Sequence, residues 1–259
     1  MTPFTVEIVT VGNEILSGRV VNTNASWIAE RVTKLGGVVK RITTTSDDVE
    51  ECSAAIREAL ARKPKLIITT GGLGPTFDDR TLESIANALG VDLDLNEEAL
   101  RMLEEKYRGK VTPPRLKMAK IPRGGKPLYN PVGTAPGCLI EVGDTIIVAL
   151  PGVPSEMKAM FEAHVEPLIL RLPRSAYASR LIRVSAIEES SLAPMIEEVM
   201  KKCKAVYVKS RLKSNGETYI EVEVSSRALT TEEAEENAAE ACRLLKELMV
   251  KAGAEVQEL

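Results

Sequence analysis

The segment Thr69-Thr-Gly-Gly-Leu-Gly-Pro-Thr-Phe-Asp-Asp-Arg-Thr81 decides how this chain is read. It follows an apolar run, Lys65-Leu-Ile-Ile-Thr69, with the character of a buried parallel strand. It leads into Thr81-Leu-Glu-Ser-Ile-Ala-Asn-Ala-Leu89, whose apolar spacing is helical. Glycines at a strand-to-helix turn let backbone N–H groups approach an anion, because no Cβ stands in the way. Asp78 and Asp79 follow at once, and two carboxylates beside a phosphate would repel it unless a divalent cation sat between them. The local chemistry therefore points to a phosphate-bearing ligand held through a metal. The competing reading is a tight turn whose aspartates cap the next helix.

Outward from this segment, strand and helix signals alternate. Thr5 to Val11 predicts a first strand, and Asn24 to Leu35 an amphipathic helix stopped by Gly36-Gly37. Val38 to Thr44 predicts a second strand, and Asp48 to Arg62 a helix capped by Asp47 or Asp48. After the helix from Thr81, a further one is expected over Asn96 to Tyr107, with Asn96 as its cap. Gly109 to Ala135 reads as irregular, and long loops in compact domains are commonly functional or mobile. Pro136 to Val142 and Thr145 to Leu150 flank Gly143-Asp144, a hairpin signal. Pro151-Gly-Val-Pro154 then turns into a helix carrying His164. This order predicts an α/β fold: a three-layer α/β/α arrangement around a mostly parallel sheet. Ligands bind such sheets at the carboxyl ends of the strands. Four loops fall at such ends, starting at Val11, Thr45, Thr69 and Pro151.

Near Pro173 the pattern changes. Arg180 to Ile187 predicts a strand and Ser191 to Cys203 a helix. A hairpin about Ser214-Asn-Gly216, a long helix over Thr230 to Ala252 and a short strand at Glu255-Val-Gln complete a small α+β unit. The expected domains are 1–172 and 176–259.

Length and composition bound the possibilities. A chain of 259 residues suffices for one large domain or two ordinary ones. Its 44% hydrophobic and 27% charged content is that of a soluble globular protein. A net charge of −3 argues against a general nucleic-acid binder. No run is long enough to span a bilayer, and Met1-Thr-Pro-Phe-Thr-Val-Glu lacks the features of a signal peptide, so a cytoplasmic location is expected. Cys52, Cys138, Cys203 and Cys242 lie far apart, without zinc-site spacing. The single histidine, His164, sits in a helical stretch, where a lone His more often packs or faces solvent than binds a ligand, so neither a Ser-His-Asp triad nor a His-based metal site is expected.

Four motifs occur in order: Val11-Gly-Asn-Glu-Ile-Leu-Ser-Gly18 with Asn22-Thr-Asn24, the Thr69–Thr81 segment, Asn130-Pro-Val-Gly-Thr-Ala-Pro-Gly137, and Leu150-Pro-Gly-Val-Pro-Ser-Glu156. Together they resemble the N-terminal part of the competence/damage-inducible CinA proteins. That part belongs to the wider molybdopterin-binding family of molybdenum-cofactor biosynthesis. The likeness covers nearly all of residues 4–170. The tail resembles the small KH-like module that follows in CinA, but it lacks the Gly-x-x-Gly loop with which KH domains clamp nucleic acid, so no nucleic-acid partner is expected. The resemblance implies metal-dependent hydrolysis of ADP-ribose to AMP and ribose 5-phosphate, with Mg²⁺, Mn²⁺ or Co²⁺ as the divalent cation. That reading fits the motifs and the paired aspartates best; the alternatives are a molybdopterin-binding or adenylyltransferase-type protein of molybdenum-cofactor biosynthesis, which the shared fold suits, and a non-catalytic nucleotide sensor. Full-length CinA proteins carry a further deamidase domain, which is not expected within these residues. A homodimer is also implied.

Carried onto this sequence, the resemblance makes Asp79 the main metal carboxylate, with Asp78 as second ligand or as helix cap. The backbone of Gly71, Gly72 and Gly74 would hold a phosphate, Thr76 would donate its hydroxyl to it, and Thr70 and Pro75 are further ligand-binding candidates. Glu14 would coordinate metal or orient water, or simply start a helix. Asp47 is favoured as a functional carboxylate and Asp48 as the cap. One of Asn22 and Asn24 would cap the first helix, and Asn24 is a candidate ligand contact. Gly133, Pro136 and Gly137 would hold a nucleoside or shape a turn, and Pro151, Gly152 and Pro154 would shape the pocket, with Ser155 or Glu156 nearby. Lys117, Lys120, Arg123 and Lys126 would close over phosphates or form a solvated basic loop.

Overall fold

The computed structural model describes residues 3–215 and 217–259; Met1, Thr2 and Gly216 lie outside the described residues, and with Gly216 the turn expected at Ser214-Asn-Gly216. The described chain divides into two compact units, Pro3–Leu172 and Pro173–Leu259.

The first unit is built on strands β1 (Thr5–Val11), β2 (Val38–Thr45) and β3 (Leu66–Thr70). Helices α1 (Asn13–Leu16), α2 (Thr23–Lys34), α3 (Val49–Ala61) and α4 (Thr81–Leu89) alternate with them. There follow β4 (Leu93–Leu95), α5 (Glu97–Lys106), α6 (Pro113–Leu116), β5 (Lys120–Pro122) and β6 (Lys126–Leu128). The hairpin β7 (Gly137–Val142) and β8 (Thr145–Leu150) leads to α7 (Pro154–Met160) and α8 (Glu166–Leu170). One six-stranded sheet has the order β2-β1-β3-β8-β7-β6. β2, β1, β3 and β8 run parallel, and β7 is antiparallel to both β8 and β6.

Both faces of this sheet are buried, and the period of two in each strand sorts side chains between them. Ile8, Leu66, Ile68, Val148 and Leu150 pack with Ile28 and Val32 of α2 and with Met157, Met160 and Phe161. Val9, Val11, Ile67, Ile147 and Ala149 pack with Cys52 and Ile56 of α3, Ile85 of α4 and Leu103 of α5. Asn22 caps α2 by accepting from Ala25 N, and Asp48 caps α3 by accepting from Glu50 N and Glu51 N. Cys52, Cys138 and Cys242 are buried free thiols, and burial pushes the Cys138 thiol up to about 12.

Two expectations are corrected. Residues 109–135 are not irregular throughout: β5 pairs with β4, and β6 forms an edge of the main sheet. Each strand is three residues long and contains a proline, Pro122 or Pro127, so neither carries an alternating pattern. The helix from Pro154 is not uniform either, since residues Phe161–Val165 form a wider π turn. Pro167 follows it, and a proline cannot donate to the carbonyl four residues back and clashes with it.

The second unit contains β9 (Ala176–Ser185), α9 (Glu189–Lys202), β10 (Val206–Asn215), β11 (Glu217–Ala228), α10 (Thr231–Lys251) and β12 (Glu255–Glu258). Its antiparallel sheet has the order β10-β11-β9-β12. Ile182, Val184, Ile220, Val222 and Val224 form a core with Leu192 and Val199 of α9 and Leu245 and Met249 of α10.

An ion pair with a buried carboxylate and a partly exposed guanidinium ties β1 to the end of α3. Glu7 on β1 is 3% exposed. It accepts from Arg62 at the end of α3 through two bonds of 2.7 Å. That contact holds the arginine's pKa above its ordinary value. Removing the guanidinium strands a buried carboxylate, so Arg62→Ala is expected to lower unfolding free energy by about 3 kcal/mol. Urea denaturation checks this, and a change below about 1 kcal/mol would contradict it.

Candidate active site cleft

Loops from the carboxyl ends of β1, β2, β3 and β8 meet in one cleft of about 400 Å³, joined by Met118, Thr134 and Ala135. Its size is that of a small-molecule site. Among its lining residues are Gly12, Glu14, Asp47, Gly71, Gly72, Leu73, Gly74, Pro75, Asp78, Asp79, Pro151, Gly152, Val153 and Glu156.

The glycine turn is held by close backbone approaches. Gly71 has φ +107°, and a Cβ there would lie 2.3 Å from Val11 O. Its N–H donates to Leu150 O at 3.1 Å, so Gly71 anchors the turn and does not offer its amide to a ligand. Thr81 closes the other side, donating from Oγ1 to Gly71 O at 2.7 Å and from N to Gly72 O at 3.1 Å. Among the described residues the amides of Gly72, Leu73 and Gly74 have no protein acceptor. Three consecutive N–H groups at the cleft wall can serve an anion.

The aspartates do not cap α4. Its N-cap is Arg80, without a side-chain bond. Asp79 Oδ2 accepts from Thr76 N at 2.9 Å, and the Thr76 hydroxyl lies within hydrogen-bond distance of both Asp79 Oδ2 and Asp78 Oδ1. The Thr76 hydroxyl thus faces the carboxylates rather than a phosphate position. It holds the Asp78 carboxyl below the usual range, with help from its own backbone and Lys117. Lys117 Nζ donates to Thr76 O, and burial lowers its pKa while Asp79, Glu83 and Asp78 oppose that. Lys117 and Lys120 line a small pocket that adjoins the cleft and shares Gly72, Leu73, Gly74, Asp79 and Met118 with it, whereas Arg123 pairs with Asp92 and Asp94.

Asp47 is not consumed by capping, which Asp48 performs. Its Oδ2 accepts from Asn13 N at 3.0 Å, tying the loop after β2 to the loop after β1. Glu14 lines the cleft from α1, and Gly12 makes room for it, since a Cβ there would lie 2.4 Å from the carboxylate. Asn24 lies beneath the lining. Its Nδ2 donates to Thr70 Oγ1 at 3.0 Å and Gly152 O at 2.8 Å, and Thr70 Oγ1 donates to Pro151 O at 2.9 Å. Asn24 and Thr70 therefore lock the turn after β8 against the end of β3, and the Asn24 Oδ1 is buried without a partner.

Gly133, Pro136, Gly137 and Pro154 flank the cleft without lining it; Thr134, Ala135 and Val153 do so instead. Gly137 serves packing, because a Cβ there would lie 2.6 Å from Ala149 O. Sequence reasoning did not single out Met118, Thr134 or Ala135, since nothing in their residue types signals a ligand.

Among the described residues no three His, Cys, Asp or Glu side chains are grouped to hold a metal ion by themselves. Asp78 and Asp79, drawn together at Thr76, provide a partial shell. That fits a cation completed by ligand phosphate and water, the usual habit of Mg²⁺.

Residues 7–171 match the family described as a probable molybdopterin binding domain. A protein of Sulfolobus acidocaldarius is 43% identical over 258 residues, 98% of this chain and 97% of its own. One of Pyrobaculum calidifontis is 47% identical over 251 residues, 95% of each chain. The crystal structure of CinA from Thermoplasma acidophilum, described as of unknown function, is 48% identical and superimposes with a TM-score of 0.62, covering 64% of this chain and 98% of that one. With its mostly parallel sheet, its glycine turn and a match over residues 7–171, this chain belongs to the molybdopterin-binding domain family.

Proposed function

We propose that the cleft binds a phosphate-bearing heterocyclic metabolite of the molybdopterin or nucleotide class, with a divalent cation between its phosphate and Asp78 and Asp79. One observation carries this reading. The lining offers the unbonded amides of Gly72, Leu73 and Gly74 beside five carboxylates, Glu14, Asp47, Asp78, Asp79 and Glu156, which outnumber the two lysines, Lys117 and Lys120, of the adjoining pocket. An anion entering such a site needs a counter-charge, which a cation supplies. Membership of the family favours a pterin over other rings.

In this reading the glycine turn orients the phosphate, and Asp78 and Asp79 hold the cation. The bound cation would neutralise charge on the phosphate oxygens. A second reading, hydrolysis of ADP-ribose to AMP and ribose 5-phosphate, is favoured by Glu14, whose carboxylate has no hydrogen-bond partner among the described residues. A free carboxylate beside a phosphate is placed to orient an attacking water.

Two assays separate the readings. Pterin fluorescence released on denaturing freshly purified protein supports the binding role. AMP release from ADP-ribose with Mn²⁺, abolished by chelator and by Glu14→Gln, supports the hydrolase. Neither signal, with protein that also fails to bind pyrophosphate, would overturn the assignment of the cleft.

A further inference from the structure

Asn130 is 2% exposed and its amide is fully engaged. Its Nδ2 donates to Ala135 O at 3.1 Å and to Glu156 Oε2 at 2.7 Å. Its Oδ1 accepts from Val132 N at 3.1 Å and Gly133 N at 2.7 Å. An amide has two donors and an acceptor with two lone pairs, so this capacity is filled. A single buried side chain thus folds the 130–135 loop and fixes the Glu156 carboxylate against it. Gly133 is the partner surface: a Cβ there would lie 1.9 Å from Glu156 Oε2.

Glu156 lines the cleft, and Asn130 occupies one of its roughly four lone-pair positions. Oε1 has no hydrogen-bond partner among the described residues. The carboxylate follows β8, whereas Glu14 and Asp47 follow β1 and β2, on the other side of the glycine turn after β3. At about 4.8 Å between strands, β8 and β1 stand about 10 Å apart. Glu156 and the Glu14–Asp47 pair therefore flank the glycine turn, with its Asp78 and Asp79, from opposite sides. Leu73, Met118 and Ala135 give the cleft apolar walls, and Ala135 is bonded to the same Asn130.

Apolar walls with one fixed acceptor suit a flat ring held by its edge. A carboxylate pairs best with two adjacent N–H donors. A 2-amino-4-oxopyrimidine edge presents that pair, a ring N–H beside an exocyclic amino group. Adenine presents a donor beside a ring acceptor, which a carboxylate repels.

We propose that Glu156, positioned by Asn130, is the specificity residue of this cleft and selects phosphorylated heterocycles with a 2-amino-4-oxopyrimidine edge, the edge shared by guanine and the pterins. The inference rests on the reading of the cleft as a phosphate-ligand site.

Calorimetric titration with Mg²⁺ tests it, using inorganic pyrophosphate, GDP, IDP and ADP as probes. The expected order is GDP, then IDP, then ADP, with GDP bound about tenfold to a hundredfold more tightly than ADP, the worth of a charge-assisted pair. In Glu156→Gln the GDP-to-ADP ratio falls to about one, and Asn130→Ala lowers the same ratio. That ratio is insensitive to loss of folded protein, which weakens both ligands alike. Equal affinity for GDP and ADP in the wild type, or a preference surviving in Glu156→Gln, overturns the proposal while pyrophosphate binding still supports the cleft. Absence of pyrophosphate binding overturns both.

Discussion

Replacing Asp79 by alanine should weaken Mg²⁺-dependent pyrophosphate binding by at least about tenfold, and by up to about a hundredfold. Asp79 lines the cleft and faces the glycine turn so closely that a Cβ on Gly74 would lie 2.5 Å from its Oδ2. Its charge is one of the two available to a cation at Thr76. The same side chain also accepts from Thr76 N, so alanine should cost about 1 kcal/mol of stability as well. Asp79→Asn separates these effects, because an amide oxygen still accepts from Thr76 N but brings no negative charge. Expected results are near-native unfolding in urea and binding as weak as in Asp79→Ala. Full binding by Asp79→Asn would show that the carboxylate charge is not what holds the ligand.

The second large effect is expected on the fold itself. Gly71→Ala should destabilise the protein by about 3 kcal/mol, combining a strained backbone with an overpacked contact. Gly71 has φ +107°, and the atom a Cβ would meet is the backbone oxygen of Val11, on a strand that cannot give way. Gly143→Ala is the control. Gly143 has φ +57° and open space at its Cβ position, so its cost should be about 1 kcal/mol. Guanidinium unfolding of both variants gives the comparison. Similar small losses would mean that the turn is not wedged between the ends of β1 and β8.

Much of this arrangement was legible in the sequence because it follows local rules. Apolar runs at β3 and β8 announce strands buried on both faces, and the Gly-containing turns after them mark the carboxyl edge. Capping chemistry alone leaves Asp47 and Asp48 open, the family resemblance favours Asp48 as the cap, and Asp48 does cap α3. Where two local rules competed, the sequence left the outcome open. Asp78 and Asp79 have the residue type of caps, yet they bind Thr76 while Thr81 turns its hydroxyl to Gly71 O. Asn24 has the same type, and it locks Thr70 to Gly152 while Asn22 does the capping.

What stayed hidden depends on contacts between distant segments or on elements too short to show a period. β5 and β6 join sheets through three residues each. Asn130 meets Glu156 across 26 positions, through a loop whose course only the folded backbone defines. The assignment of Gly71 was partly legible: the need for glycine was evident, but the reason is the approach of Val11 O rather than an amide offered to phosphate.

The most direct test of the cation-bridged cleft is the affinity of wild-type protein for inorganic pyrophosphate, measured by calorimetry with Mg²⁺ and again with chelator. Binding in Mg²⁺ that weakens at least about tenfold in chelator is the expected result, because the lining carboxylates otherwise repel the anion. Equal affinity in both conditions, or no binding in either, would contradict it.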